Sequence, residues 1–120
     1  MQYMLLLNEP SSEFAKANDP AAAPGYFGAW GAYLDAIAAS GIVVKGDGLQ
    51  PPQMGTTVRV RNGKRQVQDG PYADAKEHLG GYYVVEVPSL DVALEWAAKC
   101  PAALTGSVEI RPVLPPGSLG

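Results

Sequence analysis

Apolar and polar positions along this chain change period several times, and each change marks an element. The opening Tyr3-Met4-Leu5-Leu6-Leu7 run predicts a strand over Gln2–Asn8. Pro10 through Gly25, rich in Ala, Pro, Ser and Asn, reads as a long connecting loop. Phe27, Trp30, Leu34, Ile37 and Ala38 then recur at helical spacing and predict a helix over Pro24–Ser40. Pro24 suits its first turn, where the missing N–H is not needed, and Gly41 is placed to end it in a left-handed conformation. A second strand is predicted over Ile42–Asp47, followed by the turn-rich Gly48-Leu49-Gln50-Pro51-Pro52.

Thr56–Arg61 and Lys64–Gln68 flank Asn62-Gly63, a strong hairpin signal because both turn residues must accept positive φ. Asp69–Gly81 reads as a connection, and Tyr82–Val87, rich in β-branched and aromatic residues, as the third main strand. Ser89 caps a second helix with Leu90, Ala93, Leu94 and Ala97 as its apolar stripe, and Pro101 stops it. Ser107–Val113 is the last strand, and Leu114–Gly120 an extended tail.

With the hairpin set aside as an insertion, the order is β-α-β-β-α-β. This predicts one α+β domain over residues 1–120 with a ferredoxin-like layout, both helices on one face of an antiparallel sheet. The other face is mixed. Alternation puts Glu109 and Arg111 opposite Val108, Ile110 and Pro112, groups Glu86 with Tyr82 and Val84, and groups Lys45 and Asp47 with Val43. Such a face is too apolar for water and too charged for a dry core. A second copy packed over it resolves the conflict, so a homodimer enclosing a chamber is expected.

The totals narrow the function classes. A net charge of −3 argues against general nucleic-acid binding. The lone Cys100 can form no internal disulfide, and no zinc-ligand spacing, phosphate-binding glycine loop or Gly-x-Ser-x-Gly elbow occurs, so neither a metal nor a cofactor is expected. No apolar stretch approaches the roughly 20 residues that span a bilayer, and the opening run lacks a basic leader. No membrane association and a cytoplasmic location are the expectations.

The segment Asp69-Gly70-Pro71-Tyr72-Ala73-Asp74-Ala75-Lys76-Glu77-His78-Leu79-Gly80-Gly81-Tyr82-Tyr83 resembles the signature of DGPF domain proteins, within the wider YCII-related family. Tyr3-Met4-Leu5-Leu6, Gly48-Leu49-Gln50-Pro51, Thr57-Val58-Arg59, Ala93-Leu94-Glu95-Trp96-Ala97 and Val108-Glu109-Ile110-Arg111-Pro112 extend the resemblance along nearly the whole chain. It implies a dimeric α+β barrel with two sheets face to face, in a largely uncharacterised family of which some members are encoded beside sigma factors. Its YCII relatives are held to be enzymes on the strength of a His–Asp pair, with the His near the first helix. This chain departs there. Its only histidine is His78, inside the central motif, so that dyad does not carry over.

The candidate site residues each have a bland reading. Asp69 and its Gly-Pro neighbours make a tight turn, or Asp69 faces a chamber as proton acceptor or ligand anchor with Lys76. Lys76-Glu77 is a solvated pair or part of a network with Asp69 and Arg111. Glu109 and Arg111 form an ion pair, or Arg111 clamps a carboxylate or phosphate. His78 titrates near neutrality, yet a loop histidine is ordinarily just exposed. Cys100 reads as a partly buried filler, and Tyr3, Tyr82 and Tyr83 as core or pocket aromatics. Arg59, Arg61, Lys64 and Arg65 make a basic hairpin whose plain reading is a solvated face. Two functions follow as expectations. One is a small-molecule site, catalytic at Asp69, Lys76 or His78, with Tyr3, Asp69, Lys76, Tyr82, Glu109 and Arg111 against the ligand. The other is a non-catalytic regulatory or interaction module linked to sigma-factor-dependent transcription.

Overall fold

The computed structural model describes residues 1–70 and 75–118. Four strands form the main antiparallel sheet: β1 (Gln2–Pro10), β2 (Val43–Gly48), β5 (Glu77–Glu86) and β6 (Ser107–Pro112). They lie in the order β2-β5-β1-β6. Between β1 and β2 come a short helix α1 (Ser11–Ala15), a 3-10 turn at Lys16–Asn18 and the long helix α2 (Ala23–Ala39). Helices α3 (Leu90–Lys99) and α4 (Ala102–Thr105) connect β5 to β6. The hairpin β3 (Thr56–Arg61) and β4 (Lys64–Asp69) forms a separate two-stranded sheet. Without it, the strand order is that of the expected ferredoxin-like split βαβ unit.

The local signals act as their chemistry requires. Ser89 Oγ accepts from the Val92 N–H at 3.4 Å and starts α3. Asn62 and Gly63 take φ of 54° and 73°, and Gly41 takes 77° just beyond α2.

On the helix-covered face β1 alternates, with Tyr3, Leu5, Leu7 and Glu9 all buried. Leu5 pairs with Tyr83 and Ile110, Tyr3 with Val85 and Pro112. Ile37 and Tyr33 from α2, Ala93 from α3, Cys100 and Ala102 close the core over them. Burying side chains the size of Leu5, Ile37 or Val85 contributes about 1.5–3 kcal/mol each. The Tyr33 hydroxyl donates to the Trp96 carbonyl at 3.0 Å and ties α2 to α3.

Several boundaries differ from expectation. Pro10–Gly25 is not a plain loop, because α1 and the 3-10 turn fold there around Phe14. Strand β1 runs two residues past Asn8, and β5 begins at Glu77, five residues before Tyr82, so much of the expected connection is strand. A bulge between Val43 and Lys45 breaks the alternation in β2. Val43 pairs with Val85 on the core face, while Lys45 pairs with Val84 on the opposite face, so Val43 does not accompany Lys45 and Asp47. The two apolar stripes are only half buried: Ala93 and Ala97 are enclosed but Leu90 and Leu94 lie exposed, as do Phe27 and Leu34 on α2. Pro71 of the Asp-Gly-Pro turn and the end of the tail lie outside the described residues.

Candidate functional site

The exposed half of the α2 stripe faces a cavity. Between α1, α2 and the β2–β5 side of the sheet lies a chamber of about 400 Å³, walled by Phe14, Phe27, Trp30, Leu34, Leu49 and Tyr83. That volume suits a small organic molecule. Phe14 arrives from α1, and Leu49 from the turn after β2, whose N–H is held by the Gly80 carbonyl at 2.9 Å.

Two acidic residues border this largely apolar wall: Asp47 at its β2 edge, whose carboxylate accepts from the Tyr82 hydroxyl, and Glu9 within it. Glu9 is only 4% exposed, because its place two residues beyond Leu7 aims it at the core face. The Tyr26 hydroxyl, one turn before Trp30 on α2, donates to Glu9 Oε1 at 2.9 Å. Desolvation raises the Glu9 pKa above its ordinary value; the Tyr26 hydrogen bond opposes this and the nearby Glu13 adds to it. Burial, and then the Glu9 hydrogen bond, likewise push the Tyr26 hydroxyl upward. Trp30 Nε1 is buried and makes no hydrogen bond of acceptable geometry, although its N–H lies near enough to Glu9 and Tyr26 to favour their charged forms. An indole donor without a well-aligned partner is costly, and because this N–H is sealed from solvent the acceptors within its range are Glu9 and Tyr26. Behind these three residues a shallower hollow opens toward the Glu13–Lys16 ion pair (2.8 Å) and Leu104. Glu9 therefore stands between the chamber and the outside, holding a proton more tightly than an ordinary carboxylate.

The residues singled out from sequence are dispersed. Tyr3 is sealed in the core. Asp69 ends β4 on the exposed hairpin, paired with Thr56, and Lys76 is exposed before β5. Glu77 accepts from Ser107 Oγ at 2.6 Å, away from both. His78 is half-buried beside Phe14 and Gln53 in a separate small hollow. Tyr82, Glu109 and Arg111 do share the helix-free face. There the Tyr82 hydroxyl donates to Asp47 Oδ2 at 2.7 Å, and Arg111 pairs with Glu109 on its own strand. None of Tyr3, Asp69, Lys76, His78, Tyr82, Glu109 and Arg111 lines the aromatic chamber. Cys100 is fully buried, its thiol pushed up to about 11 by desolvation, as suits a core filler. Among the described residues of the central motif, Tyr83 is the aromatic in the chamber wall. Glu9 and Tyr26 were missed. The signal for Glu9 was the β1 alternation, carried two residues further.

Among the described residues no group of three His, Cys, Asp or Glu side chains is placed to hold a metal, and no helix is long and apolar enough to cross a membrane.

Sheet order and chamber define an α+β protein of ferredoxin-like topology with an acid-bearing aromatic cavity on its helix side. The chain belongs to the YCII-related domain family, whose model matches residues 1–116. It is 42% identical over 67 residues to an uncharacterised protein of Rhizobium meliloti (strain 1021), a match covering 54% of each. The chain thus spans about half the length of that curated relative. Its fold is similar to that of the 5-chloro-2-hydroxyhydroquinone dehydrochlorinase TftG from Burkholderia phenoliruptrix, solved in complex with 2,5-dihydroxybenzoquinone. The TM-score is 0.53 at 16% identity, covering 95% of this chain and 94% of that one. At this identity the likeness is one of fold.

Proposed function

We propose that the chain binds a small, planar, oxygen-bearing ring in the aromatic chamber and moves a proton between that ring and Glu9. The observation that carries this reading is a buried, proton-retaining carboxyl, hydrogen-bonded by Tyr26 and flanked by the Trp30 indole, in a wall made mainly of aromatic and aliphatic side chains. Aromatic walls favour flat apolar bodies, and the few polar groups set orientation. A ring oxygen at the Glu9 end of the chamber, stacked beside Trp30, would meet a carboxyl of raised pKa, which serves as general acid or, once ionised, as base. The dehydrochlorinase of similar fold holds a hydroxylated quinone ring, which supports this class of ligand.

The test is titration of 2,5-dihydroxybenzoquinone and a panel of hydroxylated aromatics by calorimetry and tryptophan fluorescence. Saturable binding is expected, weakened about tenfold or more in Trp30→Phe and Glu9→Ala. A folded wild type that binds none of the panel overturns the reading. No feature of the described residues favours the regulatory module, and it is not proposed.

A further inference from the structure

Glu9, Tyr26 and Trp30 each have two sides. They wall the ligand chamber and also the hollow behind it, so together they form a partition between the two. The hollow, about 460 Å³, exists because α2 turns small residues toward it. Gly25 and Ala29 lie one turn apart on that helix, with Ala22 just before it, and a Cβ at Gly25 would meet nothing within 4 Å. A molecule filling the chamber therefore leaves this second side of the Glu9 carboxyl uncovered.

A charged pair stands at the hollow. Glu13 from α1 and Lys16 from the 3-10 turn meet at 2.8 Å. The Lys16 side chain lies outward, 43% exposed, and that of Glu13 inward, at 13%. Both act on Glu9. Burial is the largest influence on that carboxyl and raises its pKa; of the two charges, Glu13 raises it and Lys16 lowers it. The remaining groups around Glu9 add no charge near neutral pH. Tyr26 and Trp30 come from α2, and burial keeps the Tyr26 hydroxyl protonated. Cys100, ahead of α4, stays a thiol up to about 11, and Leu104 and Thr105 of α4 are uncharged. His78, opposite Glu9 in the β1–β5 ladder, lines the separate hollow beside Gln53.

We propose that the hollow behind Glu9 is its proton port, and that Glu13 and Lys16 are positioning residues that govern exchange of the Glu9 proton with solvent there. Its part in turnover rests on the chamber reading above. A ring hydroxyl gives its proton to the Glu9 carboxylate from one side. The O–H bond so formed breaks on the other side, the proton passes to water, and the carboxylate is restored. Ligand and solvent then use different faces of one carboxyl.

The test is a titration of Glu9 by NMR in the full chain without ligand, labelled with carbon-13 at the glutamate carboxyls, the Glu9 signal being the one lost in Glu9→Gln. Lys16→Met should raise the Glu9 midpoint and Glu13→Gln should lower it, each by about 0.3 or more in pH. Both variants break the same ion pair, so a merely structural role moves the two midpoints in one direction. Lys16→Arg keeps the charge and should return the wild-type midpoint. Ala29→Leu plugs the hollow from an exposed position and should raise the midpoint by taking water from the carboxyl. Circular dichroism checks each fold, and the two Lys16 variants, at an exposed site, decide should another not fold. A wild-type midpoint at the ordinary 4.5, shifts of one sign in Lys16→Met and Glu13→Gln, or a midpoint indifferent to the plug would each overturn the inference. No ligand enters these measurements. Opposite shifts in a chain that binds none of the ring panel would uphold the port while removing the ligand reading.

Discussion

At the scale of single residues, the decisive group is Glu9. Its pKa is raised by burial, so the native state holds this proton more tightly than the unfolded chain does. Stability from this group is therefore greatest below the unfolded value, near 4.5, and is lost as pH rises toward the native value. Each unit of difference is worth about 1.4 kcal/mol. Glu9→Gln keeps an acceptor for Tyr26 but removes the buried charge. It should stabilise the fold at neutral pH, with the gain shrinking to nothing in acid; urea titrations at a series of pH values measure this, and a pH-independent difference refutes it. Tyr26→Phe should destabilise by about 1–3 kcal/mol, since it strips the buried carboxyl of its donor. Cys100, buried with its thiol raised to about 11, should resist thiol reagents until the protein unfolds, and rapid native labelling would contradict its burial. Glu9 was not read as a site residue because its strand was ended at Asn8. Buried acids are rare enough that the default places a Glu-Pro pair in a loop, and only the alternation of Tyr3, Leu5 and Leu7 argues otherwise.

At the scale of elements, what was legible followed from dense local chemistry. The Asn62-Gly63 turn, the Ser89 cap and the α2 pattern each act through neighbours within one turn of chain, so sequence carries them. What was not legible depends on distant partners. Helix α1 is five residues long and has no period to read; it folds because Phe14 covers the backbone at Gly80. The start of β5 is strand because β1 supplies its ladder, with Glu9 opposite His78 and Pro10 opposite Glu77. The β2 bulge leaves no mark in composition, yet it moves Val43 to the core and leaves Lys45 outside. Beyond that bulge Gly46 lies directly opposite Tyr83, whose ring, together with the Tyr82 carbonyl oxygen, occupies the space a Cβ would need. Both residues wall the chamber. Gly46→Ala should displace the ring, cost about 1–3 kcal/mol of stability by overpacking, and reshape the chamber. Thermal unfolding together with the fluorescence titration reads both effects; an unchanged melting point and affinity would mean that the ring and the Tyr82 backbone both yield without cost.

At the scale of the molecule, stability is unevenly spread. In the body, β1 is hydrogen-bonded on both sides, by β5 and β6, and roofed by α2 and α3, so its amides open only when the domain unfolds. The β3–β4 hairpin has two strands, three bared valines and, among the described residues, no ladder to the main sheet, so little opposes its opening in a lone chain. Hydrogen exchange followed amide by amide in dilute solution should show Thr56–Asp69 exchanging close to the rate of an unstructured peptide, while Leu5 and Val85 exchange slowest. Loss of the whole fold would release every amide, whereas opening of the hairpin alone would expose residues 56–69 and leave β1 and β5 protected. Uniform protection in dilute solution would mean that the hairpin packs on its own body, and the uneven spread of stability argued from its bared valines would be wrong.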